Sequence, residues 1–210
     1  CKNMKILELG TSHGYTTHVL ASLFGSVVTY DLYESNLEKA RELNKDFDNI
    51  KYKELDIYMC HWPDQDFDVV FIDCMHQIGM VIQDILKLLK YKVGTKTFVI
   101  FDDYGLNWGP NKRHVKEAVD FFIKRGYLEP VKKIGHQKGY KIQEEDDSIL
   151  CDSEGIICHT LGKGPEEFGS IEVSKKGDHI EVSCDDTAIK SGLLDLVRSL
   201  DKHSVMEIEK

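Results

Sequence analysis

The sequence predicts a doubly wound α/β fold, and three observations carry that expectation. Short apolar runs alternate with amphipathic stretches through about the first 126 residues. The runs are continuously apolar, as in strands buried on both faces of a parallel sheet. Each run stops at a glycine or an acid, at the sheet edge where such folds bind ligands.

The elements follow in order. Lys5–Leu9 is apolar and stops at Gly10. Residues 15–24 are helix-like and close on Gly25, and 27–30 form a β-branched run ending at Asp31. Ser35 precedes Glu38 by three residues, which predicts a capping box opening a helix over 36–47. A weaker strand over 50–55 ends at Asp56, and a continuous one over 67–72 ends at Asp73. Ile78, Val81, Ile82, Ile85, Leu86 and Leu89 have helical spacing. Residues 97–101 form another buried-type strand, ending at Asp102-Asp103. Val115, Ala118, Val119, Phe122 and Ile123 share one helical face, which Gly126 terminates. Farther on, 140–142 and 155–158 are expected as closing antiparallel strands, with the acidic run 144–147 as a solvated loop. The stretches 171–173 and 179–183 flank Lys175-Lys176-Gly177-Asp178, a hairpin signal, and 192–200 reads as a short helix. The division is a domain over 1–160 and a C-terminal hairpin and helix extension over 161–210, packed on the same domain. The chain opens on Cys1 with a strand-like run from Met4, as expected of a domain cut from a longer polypeptide.

Composition excludes some partners. The chain has 210 residues, a size for one domain, with 27 Lys and Arg against 36 Asp and Glu. The net charge of −9 opposes a polyanion, so no nucleic acid is expected. No apolar run approaches the roughly 20 residues of a membrane span. The six cysteines include no C-x-x-C pair and read as reduced thiols in a cytoplasmic setting.

The strongest motif is Ile6-Leu7-Glu8-Leu9-Gly10-Thr11-Ser12-His13-Gly14-Tyr15-Thr16-Thr17, a strand running through a glycine turn into a helix. That geometry brings backbone close to a ligand at a helix N-terminus. It is not G-x-G-x-x-G, because Ser12 and Tyr15 occupy two glycine positions, so a dehydrogenase or epimerase using NAD is disfavoured. Glu8, beside the loop, would repel a pyrophosphate and suit a cationic ligand group. Asp31, about 20 residues beyond the first glycine, is placed for ribose hydroxyls.

These residues resemble the class I methyltransferases that use S-adenosylmethionine (SAM). The resemblance covers roughly residues 4–126, with Glu8-Leu9-Gly10-Thr11-Ser12-His13-Gly14 as its first motif. It implies a Rossmann-like, mostly parallel seven-stranded sheet with helices on both faces. It also implies that Gly10, Thr11, Ser12 and Gly14 wrap the methionyl and ribose parts of SAM, with Asp31 on the ribose diol and Asp56 near the adenine amino group.

Asp73, Asp102 and Asp103 end two strands expected to be neighbours. Three converging carboxylates would repel one another unless a cation joined them, and all-oxygen donors favour Mg²⁺, Mn²⁺ or Ca²⁺ over zinc. His76, three residues after Asp73, suits proton removal from an acceptor hydroxyl, since free histidine titrates at about 6.5. The stretches Ile72-Asp73-Cys74-Met75-His76 and Asp102-Asp103-Tyr104-Gly105 resemble the metal-dependent sugar O-methyltransferases of the macrolide and rhamnosyl type. That group often has an acid where Met75 stands. The loop that follows carries Tyr104 and Trp108, flat enough for a sugar face, and Asn107 and Arg113, able to bond its hydroxyls.

The expected activity is SAM-dependent methyl transfer to a hydroxyl of a sugar, on a glycan or a glycosylated small molecule. A divalent metal (Mg²⁺ or Mn²⁺) assists, and His76 or Asp73 accepts the proton. A catechol-type phenol is the alternative acceptor, and a non-catalytic SAM or adenine-nucleotide module is the alternative class. Fusion to other glycan-building domains is compatible with the opening at Cys1.

Overall fold

The computed structural model describes residues 1–58, 62, 66–92, 94–105, 113–135, 154–164, 172–176 and 179–183. The elements are β1 (Lys5–Leu9), α1 (Tyr15–Leu23), β2 (Ser26–Asp31), α2 (Glu34–Leu43), β3 (Ile50–Glu54), β4 (Val69–Ile72), α3 (Ile78–Tyr91), β5 (Phe98–Phe101), α4 (His114–Lys124), β6 (Leu128–Ile134), β7 (Gly155–Thr160), β8 (Glu172–Lys176) and β9 (His179–Ser183). The main sheet has seven strands and is mostly parallel.

The chain divides into two compact units, Cys1–Cys74 with Thr97–Phe101, and Met75–Lys96 with Asp102–Lys210. The first holds five parallel strands in the order β3-β2-β1-β4-β5. Ile6, Leu7, Leu9, Val27, Val28, Val69 and Val70 are buried, so both faces of these strands are covered, as their continuous apolar runs require. Burying each such side chain contributes about 2 kcal/mol. One face forms a cluster in which Leu20, Ala21 and Phe24 of the α1 segment meet Ile6, Val27, Val69 and Phe71. Register aligns the strand ends that matter: Leu9 lies opposite Tyr30 and Ile72, and Ile72 opposite Phe101.

The expected capping box does not form. Helix α2 begins at Glu34, with Tyr33 as its N-cap residue and no side-chain cap. The Asp31 Oδ1 atom accepts instead from the Tyr33 N–H (2.9 Å) and the Asn36 side-chain amide (3.0 Å). The strand-end acid thus braces the approach to the helix, and Ser35 lies inside the first turn.

In the second unit α3 is buried on nearly every side, and α4 buries Val115, Ala118, Val119 and Phe122. Gly126 ends α4 as expected: its N–H donates to the Ile123 carbonyl (2.9 Å) and the Tyr127 N–H to that of Phe122 (3.0 Å). The rings of Phe122 and Tyr127 meet edge to face at 6.4 Å and seal that turn. Strands β6 and β7 are antiparallel, with an irregularity between Pro130 and Lys132. The segment 155–158 is a closing strand as expected; its described partner, Leu128–Ile134, has no counterpart in the sequence reading. β8 and β9 form the expected antiparallel hairpin. The stretches 140–142, 144–147 and 192–200 lie outside the described residues. No helix among the described residues is long and apolar enough to cross a membrane.

Candidate active site

The glycine loop joins β1 to α1 in the first unit. Gly10 has φ +98°, and a Cβ there would lie 1.8 Å from the Asp73 carbonyl oxygen, so only glycine fits. The Gly10 and Thr11 N–H groups both donate to the Tyr30 carbonyl (2.9 and 3.1 Å). The Thr11 and Thr29 hydroxyls bond at 2.5 Å in the interior. The loop thus folds back on β2, and the Thr11 hydroxyl braces it against Thr29. Ser12 adopts φ 46° without being glycine, and its N–H donates to Asp31 Oδ2 (2.8 Å). Gly14, at φ 84°, is the N-cap residue of α1, where a Cβ would meet Ala40 at 2.7 Å. Helix α1 has no side-chain cap and no acid in its first turn, which suits an anionic ligand group there.

Glu8 corrects another expectation. It is 0% exposed, so no ligand group reaches it in this structure. Strand alternation puts it on the same face as Ile6, toward α1. The Thr17 hydroxyl donates to its Oε2 (2.6 Å), while Oε1 has no hydrogen-bond partner among the described residues. Burial pushes its pKa from 4.5 to about 7; the Thr17 and Thr29 hydroxyls pull the other way, and the charges of Asp73 and Asp31 add to the rise.

Sequence reasoning missed Asn44. Its amide donates to the Gly14 and Ala40 carbonyls (2.9 Å each), and its Oδ1 accepts from His18 Nδ1 (2.9 Å). The signal available was an asparagine just past a helical run, a common helix-end residue. His13 lies 3.2 Å from the Lys39 ammonium, and the His18 ring meets Phe47 edge-on at 4.9 Å. Asp56 lies two residues past β3 and accepts from the Tyr58 N–H (2.9 Å). Asp73 follows β4 directly, its N–H donating to the Leu9 carbonyl (2.9 Å).

In the second unit, His76 Nε2 lies 3.1 Å from Asp103 Oδ2, with side chains 28% and 33% exposed. Asp103 has φ 53°, a left-handed backbone that turns its carboxylate out of the strand direction. Asp102, immediately after β5, is half-buried. Tyr104 is 3% exposed and its hydroxyl donates to Asp120 Oδ1 (2.7 Å). The Lys116 and Lys133 ammoniums stand 5.0 and 5.9 Å from its ring centre. Its ring anchors the turn and is not open to a sugar. Arg113, the N-cap residue of α4 at φ 65°, is ion-paired with Glu117. Asn107 and Trp108 lie outside the described residues. Cys1 and Cys158 are free thiols, and burial pushes that of Cys158 up to about 12.

Residues 1–147 match the sequence profile of a family described as a methyltransferase domain. No curated protein sequence matches the chain. Among solved structures, N-methyltransferase NodS from Bradyrhizobium japonicum WM9, in complex with S-adenosyl-L-homocysteine, is similar with a TM-score of 0.55 and 14% identity, over 75% of this chain and 76% of that one. Haemonchus contortus phosphoethanolamine N-methyltransferase 1, in complex with phosphoethanolamine and S-adenosylhomocysteine, gives a TM-score of 0.58 and 13% identity, over 95% of this chain and 43% of that one. At such identities the likeness is one of fold. With the profile spanning the glycine loop and the strands that carry it, the chain belongs to the methyltransferase domain family and has the Rossmann-like fold of the SAM-dependent enzymes.

Proposed function

We propose that this methyltransferase moves the methyl group of SAM to a hydroxyl of a sugar, on a glycan or a glycosylated small molecule, with a divalent cation assisting. The cofactor half rests on the glycine loop, pressed onto the Asp73 backbone with the Ser12 N–H held by Asp31. The residues fit the cofactor. A carboxylate oxygen accepts about two hydrogen bonds, and Asp31 Oδ2 takes one from Ser12, which leaves capacity for a ribose hydroxyl. Gly10, Ser12 and Gly14 shape the backbone around the ligand, and Asp56 serves the adenine amino group. SAM, when bound, supplies a methyl group on an electron-poor sulfonium. The SAH complexes of the two solved N-methyltransferases support the same pocket chemistry.

The acceptor half rests on His76 and Asp103. A hydroxyl must shed its proton to attack as an alkoxide, whereas a neutral amine attacks through its lone pair. NodS and the phosphoethanolamine enzyme are N-methyltransferases, but the pairing of an imidazole with a carboxylate supports oxygen here. His76 Nε2 takes the proton, and the Asp103 carboxylate stabilises the positive charge the ring acquires. Asp73 and Asp102 follow the paired residues Ile72 and Phe101 on neighbouring strands, and Asp103 follows Asp102. Oxygen donors such as these carboxylates would suit Mg²⁺ or Mn²⁺. The cation, when held there, supplies charge that favours an ionised acceptor oxygen. Scattered cysteines with no C-x-x-C pair support a reducing, cytoplasmic setting.

The test is incubation with SAM and a panel of unmethylated oligosaccharides, glycosylated small molecules and catechols, read by mass spectrometry. Gain of one methylene on a sugar supports the proposal. Methylation of catechols alone replaces the acceptor, and SAH binding without transfer to any acceptor returns the chain to a binding module.

A further inference from the structure

We propose that α4 positions the proton-accepting pair, with His114 and Asp120 as its anchoring residues. This rests on the reading of His76 and Asp103 as that pair. Two segments must be held for the pair to meet. His76 lies just before α3, whose N-cap residue Gln77 provides no side-chain cap. The cap comes from the other helix. The Ile78 N–H, two residues beyond His76, donates to His114 Nδ1 (3.2 Å), and His114 is the 3%-exposed first residue of α4. Asp103 needs holding for a different reason. Its φ of 53° lies in the left-handed region, which disfavours a non-glycine residue unless its neighbours support it.

Tyr104, the next residue, supplies the restraint. Its hydroxyl donates to Asp120 Oδ1 (2.7 Å), and the Lys116 ammonium binds both Asp120 Oδ2 (2.5 Å) and the Tyr104 hydroxyl (3.2 Å). Lys116 and Asp120 are one turn apart on α4, so the anchor is built on a rigid element. His114 and Asp120 are six residues apart, about 9 Å along the helix axis. One helix thus fixes the backbone beside His76 at its first residue and the backbone beside Asp103 farther along. The Gly126 turn fixes where that helix ends.

The test reads the His76 ring directly and needs no methyl acceptor. Ring nitrogen and carbon-bound proton signals are recorded by NMR on ¹⁵N-histidine-labelled protein at one pH, with His76→Gln to assign them. Asp103→Asn sets the displaced position that marks loss of the pair. Tyr104→Phe and His114→Leu are expected to move the His76 signals toward that position. His114→Asn, which keeps an acceptor near the Nδ1 site, is expected to restore them. SAH affinity by calorimetry stays at the wild-type value in all four. Tyr104→Phe removes one hydroxyl and carries the test should His114→Leu fail to fold. Wild-type His76 signals in Tyr104→Phe would overturn the proposal, as would an unmoved His76 in Asp103→Asn. Expected shifts in a chain that methylates no sugar would leave the positioning role standing and remove only the acceptor assignment.

Discussion

Replacing Glu8 with glutamine should flatten part of the pH dependence of stability. The native side chain holds its proton to about 7, because burial penalises the charged form, whereas the unfolded chain releases it near 4.5. Between those values the native state binds more protons than the unfolded state, so stability falls as pH rises. The contribution is fully present below 4.5 and lost by the time pH has passed about 7. At about 1.4 kcal/mol per pH unit, the loss is about 3 kcal/mol. Glu8 is 0% exposed, so solvent does not dilute it. Glutamine keeps the shape and an acceptor for the Thr17 hydroxyl but cannot titrate. Its amide also places donors at the position of Oε1, so the absolute stability of the variant is not the readout. The readout is the slope: urea unfolding at pH 5, 6, 7 and 8 should show wild type losing about 2.5 kcal/mol more than Glu8→Gln, the rest of the loss falling below pH 5. Parallel curves would refute the argument, and would mean that Glu8 is ionised in the native chain throughout.

Other substitutions probe the rest of the site. Gly10→Ala forces a Cβ to within 1.8 Å of the Asp73 carbonyl; it should cost about 3 kcal/mol or more in urea unfolding and remove SAH binding. His76→Gln should lower methyl transfer by roughly 10²- to 10⁴-fold while calorimetric SAH affinity is unchanged. Chelation of divalent metals should abolish transfer and added Mg²⁺ restore it; Asp102→Asn should match the chelated enzyme with SAH affinity intact, and equal loss of both would assign Asp102 a structural role. Thr17→Val removes the hydroxyl that donates to Glu8 Oε2, and thermal unfolding at pH 8 should show a loss of about 1–3 kcal/mol.

The parts legible in the sequence are those set by local pattern. β1, Gly10 and Gly14 were readable because an apolar run, a glycine and a helical period follow one another without interruption. Asp31 was readable as a strand-end acid, but its bonds to Ser12, Tyr33 and Asn36 were not, since they depend on how the glycine loop and α2 fold around it. Strand β6 escaped notice because Pro130 and adjacent lysines break its apolar pattern, features that an irregular strand tolerates. Glu8 could be placed on β1 but not given a direction, since that depends on Thr17 arriving from α1. Tyr104 shows the same limit more sharply. An aromatic residue in a polar loop reads as a platform, and its burial depends on Asp120, sixteen residues away on a helix of the same unit. His114 carries no local signal, because its bond to Ile78 spans thirty-six residues.

The central claim is that the loop from Gly10 to Gly14, with Asp31, binds SAM. Calorimetric titration of S-adenosylhomocysteine and of NAD into wild type and Asp31→Ala tests it most directly. S-adenosylhomocysteine should bind wild type and NAD should not, and Asp31→Ala should weaken binding roughly 10- to 100-fold, as for a lost bond to a charged acceptor. Tight binding of NAD with none of S-adenosylhomocysteine, or equal affinity in wild type and Asp31→Ala, would contradict it.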